Sequence, residues 1–306
     1  MTHRPKHMAE YVLLRGLAGP LRILPHRAAL CAGCGLAGFM HFVLRFRKKL
    51  AMERLEEVFG DRYTPQEMKR IAWISFRNMV FNCVEGLRMD RYEDTNPDTW
   101  INLQEVLETI RGHNAQGRGV IAVLAHTGNW DLATRVTGLN GIPAVYIARR
   151  QSNLLTYGYF HRIRSRAGIR VEDRDDPSLV RKVIRHLNAG RMLGVMVDLR
   201  AKHPSPGRVF LGKEAHIAGG IGLIARKSNA IVLPVTVLRE GWFKHRWILN
   251  EPVQSNPNLS GKEDRQHITQ HCLDQLSPSI LEHPEQYFWY NKRWVLQPFP
   301  TKKDAE

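Results

Sequence analysis

The rhythm of hydrophobic and polar positions changes near residue 100. Before it, Met68, Ile71, Ala72, Ile74, Phe76, Met79, Val80, Val84 and Leu87 follow the spacing of one helix face. Thr64-Pro65-Gln66-Glu67 supplies the start of that helix: a hydroxyl N-cap, proline at the first helical position and glutamate at the third. Beyond it, short continuous apolar runs alternate with helical stretches. Helices are predicted near 102–113, from Asn129 onward, and near 152–167, 177–188, 218–228 and 262–281. Strands are predicted at 120–125, 143–148, 192–198, 208–211 and 230–238, with 243–250 as a hairpin partner of the last. Continuously apolar strands separated by helices predict an α/β fold: a central mixed, mostly parallel sheet covered by helices. No internal repeat, low-complexity stretch or linker interrupts residues 100–295, and the last residues, 300–306, are expected to fray.

The first fifty residues differ in character. They carry nine Lys and Arg against one acid, Glu10, which is half of the net charge of +16. Among them runs Ala28–Leu44, 17 residues in which His41 is the only ionisable group apart from two thiols. As a helix this run spans roughly 25 Å, slightly short of a hydrocarbon core of about 30 Å. An apolar helix with basic flanks suits an anionic leaflet. Residues 1–50 are therefore expected to anchor the chain to a membrane, spanning it or lying on it, with a buried core helix as the competing reading. Arg45-Phe46-Arg47-Lys48-Lys49 directly after the run argues against a cleaved signal peptide and for the basic, cytoplasmic side.

Charge also narrows the partners. A net of +16 favours nucleic acid, anionic lipid or an acidic protein. No helix-turn-helix, zinc-finger or RNP-like pattern supports nucleic acid. The four cysteines, Cys31, Cys34, Cys83 and Cys272, are too few for a disulfide framework. The Cys31-x-x-Cys34 pair lies in an apolar helix with no second pair, so it reads as small apolar filler rather than a metal or redox site.

The chemistry concentrates at one strand end. Val120 to Ala125 is apolar, and His126-Thr127-Gly128-Asn129-Trp130-Asp131 follows. In open α/β sheets ligands lie beyond the carboxyl ends of strands. With Thr127-Gly128 as a turn and Asn129 as N-cap, His126 hangs off the strand and Asp131 falls in the first helical turn. The carboxylate can then hold one imidazole nitrogen while the other faces a cleft, which orients a base toward a hydroxyl. A surface turn with an incidental His–Asp contact competes with this. A metal site is disfavoured, because His126 has no histidine three or four residues on. Two further features belong to the same sheet edge. Residues 147–170 hold six arginines and no acid, with Arg162 and Arg166 on one helix face, which suits phosphate or carboxylate unless the face is merely solvated. Asp198, at the end of the strand ending "VMVD", can face the same cleft.

On these residues the chain resembles the bacterial lipid A biosynthesis (Kdo-dependent late) acyltransferases, within the glycerolipid and lysophospholipid acyltransferase superfamily. The likeness runs in order along most of the chain: the apolar N-terminal helix, Phe76-Arg77-Asn78, His126-x4-Asp131, Val145–Arg150 with Asn153, Arg164-x3-Gly168 and the strand ending at Asp198. It continues through Val209–Gly212, Gly220, Leu233-Pro234-Val235 and the stretch from Pro284 to Trp294. The chain departs from the pattern at Arg200, where a second acid is usual, at Leu211, where Phe-Phe-Gly is usual, and at Ile217 in place of threonine.

The resemblance implies an O-acyltransferase domain over 51–299 that moves a fatty acyl chain from an acyl thioester, on acyl carrier protein or coenzyme A, to a hydroxyl of a lipid A precursor. His126 is the implied general base and Asp131 its orienter. Asn129, Arg149, Arg150, Arg164, Asp198 and Gly212 are implied substrate-binding residues. No cofactor or metal is called for beyond the thioester co-substrate. The implied partners are an anionic or phosphorylated lipid and an acidic carrier protein or coenzyme A, at the cytoplasmic face of the inner membrane. A glycerolipid, aminolipid or glycolipid acceptor, or a non-catalytic membrane-surface homologue, stands as the alternative.

Overall fold

The computed structural model describes residues 4–89, 101–166 and 169–298. Two sequence expectations, a frayed tail at 300–306 and the Gly168 end of the Arg164-x3-Gly168 likeness, fall outside them.

Among these residues the chain opens with four helices: α1 (Pro5–Ile23), α2 (His26–Gly38), α3 (Lys48–Phe59) and α4 (Pro65–Leu87). The predicted start of α4 is present in full. The Thr64 side chain accepts from the Glu67 amide while the Glu67 carboxylate accepts from the Thr64 amide, a reciprocal capping box. An α/β unit follows, in the order α5 (Leu103–Ala115), β1 (Val120–Leu124), α6 (Trp130–Leu139), β2 (Ala144–Ala148), α7 (Leu154–Arg166), β3 (Arg170–Asp173), α8 (Leu179–Asn188) and β4 (Met192–Met196). A two-stranded hairpin, β5 (Val209–Phe210) and β6 (Lys213–Glu214), leads to α9 (Gly220–Ser228), β7 (Ile231–Glu240), β8 (Lys244–Leu249) and α10 (Gly261–Glu282).

The main sheet has the order β3-β2-β4-β1-β7-β8, with β8 alone antiparallel. The α/β expectation therefore holds, down to the mostly parallel sheet. β1 lies between β4 and β7, and its side chains are divided by the pleat. Val120, Ala122 and Leu124 join a core with α5 and α6 residues such as Val106, Ile110 and Val136. Ile121, Val123 and Ala125 join a second core with α8, α9 and α10 residues such as Leu187, Ile224 and Leu276. Burial on both faces explains why β1 and β7 read as continuous apolar runs. β3 has no such signature. Among the described residues it is a charged edge strand paired only to β2, and Arg-Val-Glu-Asp carries no hydrophobic pattern to reveal it.

The apolar run at 28–44 is not one straight anchor. The α-helix ends at Gly38 and a π-helical turn, Phe39–Val43, closes it. One face of α2 is core: Ala29, Leu30, Gly33 and Ala37 are buried. Its glycine brings α2 close to α4, since a Cβ at Gly33 would meet Val84 Cγ2 at 2.9 Å. The other face carries exposed apolar side chains, which continue from α1 (Val12, Leu13, Leu17, Ile23) through Leu36, Phe39, Phe42, Val43, Leu44 and Phe46. The buried-helix reading of the run thus describes one face, and the other face is apolar and exposed. Among the described residues no single helix is long and apolar enough to cross a membrane; His26–Val43 with Lys48–Arg62 passes that test only as a pair bent by 84°.

Candidate functional site

β1 ends at Leu124, and the loop after it places His126 beside the end of the adjacent strand β4. There the structure corrects the expected partner. Nδ1 of His126 lies 2.7 Å from Oδ1 of Asp198, and the His126 amide donates to Asp198 Oδ2 at 2.9 Å. Asp131 instead pairs with Arg164, whose Nη2 is 3.2 Å from Oδ2. The reason lies in the parallel register: Leu124 pairs with Met196, so His126 and Asp198 each follow two residues beyond the last paired position of their strands. Asp131 is in the first turn of α6, where it meets Arg164 of α7.

Asp198 is 2% exposed. Burial by itself raises a carboxyl pKa, but the His126 imidazole, the hydrogen bonds from that ring and its amide, and a hydrogen bond from Tyr287 outweigh it and hold the group below its usual value. Asp198 is therefore ionised and accepts from Nδ1–H. That fixes the tautomer in which Nε2 carries the lone pair. Among the described residues nothing hydrogen-bonds Nε2, and the Trp130 ring stands edge-on to the imidazole with centroids 4.7 Å apart. Ser75, Asn82, Trp130 and Phe288 help to line a dimple of about 10 Å³ at the ring, close to the space needed for a single oxygen-sized group.

The loop is held from three sides. Gly128 has φ +53, and a Cβ there would meet the Val237 carbonyl oxygen at 2.3 Å, so the turn needs glycine. The stretch 286–288 runs alongside: the Gly128 amide donates to the Gln286 carbonyl at 3.1 Å, and the Phe288 amide donates to the His126 carbonyl at 2.9 Å. α4 supports this stretch through Ser75 Oγ, which donates to the Tyr287 carbonyl, and reaches the loop itself through Asn82, which donates to the Gly128 carbonyl. Below lies a buried charge cluster. Glu85 makes a two-point ion pair with Arg239, and Asn129 Nδ2 donates to Glu85 at 2.6 Å while its Oδ1 caps α6. Arg239 and its hydrogen bonds hold the fully buried Glu85 carboxyl well below the ordinary range, against the effect of burial.

The remaining sequence candidates divide. Asn129 is 1% exposed and spends both ends of its amide inside the protein, so it braces the loop rather than lining the dimple. Arg149 is exposed and pairs with Asp175 at 3.2 Å. Arg150 is exposed beside it. Arg164 is raised in pKa, chiefly by Asp131, and stays charged. Gly212 has φ +77 in the turn between β5 and β6, where Leu211 also has a positive φ. Arg200, the departure from the acidic pattern, donates to the Pro298 carbonyl at 2.7 Å. Sequence reasoning missed Glu85 and Arg239: both look like ordinary helix and strand charges, and only their burial as a pair marks them. Among the described residues no group of three His, Cys, Asp or Glu could hold a metal ion.

Comparison with known proteins places the chain in a family. The family model described as bacterial lipid A biosynthesis acyltransferase matches residues 4–295. The chain is 23% identical over 278 residues to an Escherichia coli K12 lipid A biosynthesis palmitoleoyltransferase, covering 90% of this chain and 87% of that protein. It is 24% identical over 282 residues to a lipid A biosynthesis lauroyltransferase of the same strain, covering 90% and 88%. A Shigella flexneri lipid A biosynthesis acyltransferase is similar to the same extent as the first, at 23% identity.

Proposed function

Because the chain belongs to the bacterial lipid A biosynthesis acyltransferase family and is an acyltransferase, we propose that it transfers a fatty acyl group from an acyl thioester to a hydroxyl of a lipid A precursor, with His126 as general base and Asp198 as its orienter. The 2.7 Å contact between His126 Nδ1 and Asp198 carries this reading. Nε2 takes the proton of the acceptor hydroxyl, and the alkoxide oxygen bonds to the thioester carbonyl carbon. Collapse of the tetrahedral intermediate breaks the carbon–sulfur bond, and the imidazolium returns its proton to the leaving thiolate. Asp198 stabilises the imidazolium between the two transfers. The thioester is on acyl carrier protein or coenzyme A. A chain of charge +16 attracts an acidic carrier and a phosphorylated lipid alike.

Asp131 acts through Arg164. The pair lies on α6 and α7 beside the His126 loop, where a fixed guanidinium suits a phosphate or a developing oxyanion. The N-terminal helices bring the chain to the bilayer. Exposed Phe39, Phe42, Val43, Leu44 and Phe46 lie next to exposed Arg45, Arg47 and Lys49, an apolar face beside cations. That combination seats a segment in the interface of an anionic leaflet without crossing it.

The test is acyl transfer by the full chain and by His126→Ala on vesicles holding a lipid A precursor, with acyl carrier protein thioester or acyl coenzyme A as donor. Mass spectrometry reads the gain of one acyl chain. His126→Ala is expected to lose turnover by about 10³-fold or more while still binding vesicles. Unchanged turnover in that variant ends the mechanism.

A further inference from the structure

A second cavity, of about 470 Å³, shares no residue with the dimple at His126. Arg208, Lys262 and Arg265 line it, and no carboxylate does. Its floor includes the start of α9. That nine-residue helix begins at Gly219-Gly220 with no side chain capping its first amides, so the positive end of the helix opens into the cavity. Such an end attracts anions but does not by itself make a site.

Arg208 supplies the second observation. It is 5% exposed, and its Nη1 is spent on the neighbouring Gly207 carbonyl at 3.1 Å. Its Nε and Nη2 are buried with no partner among the described residues. Those two atoms form the side edge of the guanidinium fork, whose spacing matches two oxygens of one phosphate or carboxylate. A buried donor edge left unspent is costly unless a ligand uses it. Three cations and a helix end favour a doubly charged phosphomonoester over a single carboxylate. The volume exceeds that of the anion alone, and Pro204, Pro206 and Leu223 offer apolar walls for an organic body.

We propose that this cavity is a separate binding site for an organic phosphate ester, its phosphate held by the Nε–Nη2 edge of Arg208, Lys262, Arg265 and the first amides of α9. The loop from Asp198 to Arg208 connects the two places along the chain, and α9 leads directly into β7, the neighbour of β1 in the sheet. Phosphate chemistry of this kind can come from a nucleotide-bearing thioester donor or from a phosphorylated sugar of the acceptor. The site does not depend on proton transfer at His126, so the two proposals fail separately.

Binding of inorganic phosphate, coenzyme A and glucosamine 1-phosphate to the full chain, followed by calorimetry, decides it. Arg208→Gln is expected to weaken phosphate-ester binding at least about tenfold and Lys262→Gln, at an exposed position, several-fold, whereas His126→Ala leaves it unchanged. Tighter binding of coenzyme A assigns the site to the donor, and tighter binding of the sugar phosphate assigns it to the acceptor. If Arg208→Gln does not fold, Lys262→Gln and Arg265→Gln give the answer. No binding of any of the three probes at millimolar concentration overturns the site, as does parental affinity in the variants that fold.

Discussion

Nδ1 of His126 and Oδ1 of Asp198 are 2.7 Å apart, across the gap between the ends of two neighbouring parallel strands, and the same carboxylate also accepts the His126 amide. One carboxylate thereby fixes both the ring and the backbone that carries it. The roles of the two aspartates follow, and they can be separated. Asp198→Asn is expected to lower kcat by about 10³–10⁴-fold, because an amide can donate to Nδ1 and leave the wrong tautomer. Asp131→Asn keeps the His126–Asp198 pair and weakens only the hold on Arg164. It should lose less in kcat, with Arg164→Gln behaving alike. Steady-state kinetics of the three variants makes the comparison. A larger kcat loss in Asp131→Asn than in Asp198→Asn would return the orienting role to Asp131.

Gly128 tests the loop without touching a titratable group. Its φ of +53 and the clash that a Cβ would make with the Val237 carbonyl leave alanine nowhere to go. Gly128→Ala should destabilise the fold by about 2 kcal/mol or more and displace the ring. Thermal unfolding checks the first effect and kcat the second. Parental values of both would mean that the turn relaxes freely.

Glu85→Gln leaves the Arg239 guanidinium buried without its counter-charge. Both side chains of the pair are fully buried, and the expected cost is about 3–5 kcal/mol of stability by urea unfolding. The sign with pH is set by the depressed carboxyl. Its contribution is present above the ordinary glutamate pKa of about 4.3 and is lost as acid titrates the folded state below that value. Glu85→Gln should therefore flatten the acid limb of the stability curve. An unaltered acid limb in a folded Glu85→Gln protein would assign that limb to other carboxylates.

His41 gives a second pH dependence. It is fully buried among Phe42, Trp73 and Phe76, with Tyr290 Oη 3.2 Å from Nδ1. Burial, and then the charge of Lys48, lower its pKa to about 4. The folded state disfavours the proton, so its stability is full above pH 6.5 and falls as pH drops toward 4. His41→Gln should remove part of that slope in unfolding measured across the window. A slope identical to the parent's would clear His41 of it.

The apolar face of the π-helical turn and the segment after it predicts membrane affinity. Replacing Phe39, Phe42 and Leu44 with serine removes three exposed apolar side chains while leaving the buried face of α2 intact. Partitioning onto anionic vesicles is expected to fall at least about tenfold, from a transfer value of roughly 1.5–3 kcal/mol for each large side chain fully buried. Raised salt should weaken the parent's binding further, through the adjacent cations. Vesicle co-sedimentation at two salt concentrations gives both numbers, and unaltered partitioning would place the contact surface elsewhere.

Much of this protein could be read before folding. Continuous apolar runs located β1, β4 and β7, because strands buried on both faces cannot alternate. The cap at Thr64 marked α4 through hydrogen bonds made within four residues. The position of His126 at a strand end was local information of the same kind, as were the glycine turn and the Asn129 cap. What chain neighbours cannot settle is which distant group meets a side chain. Asp131 is five residues from His126 and Asp198 is 72 away, yet strand pairing between β1 and β4 brings the distant one to the ring. The Glu85–Arg239 pair, the support from 286–288 and the unspent edge of Arg208 depend in the same way on burial. The burial of residues 28–44 was decided by packing too: their composition suits a membrane or a core, and only the approach of α4 settled which face is buried. The sequence by itself determined the elements and the chemistry available at their ends, since both rest on local hydrogen bonding and hydrophobic period. Tertiary structure alone chose the pairings, because those depend on sheet order and register.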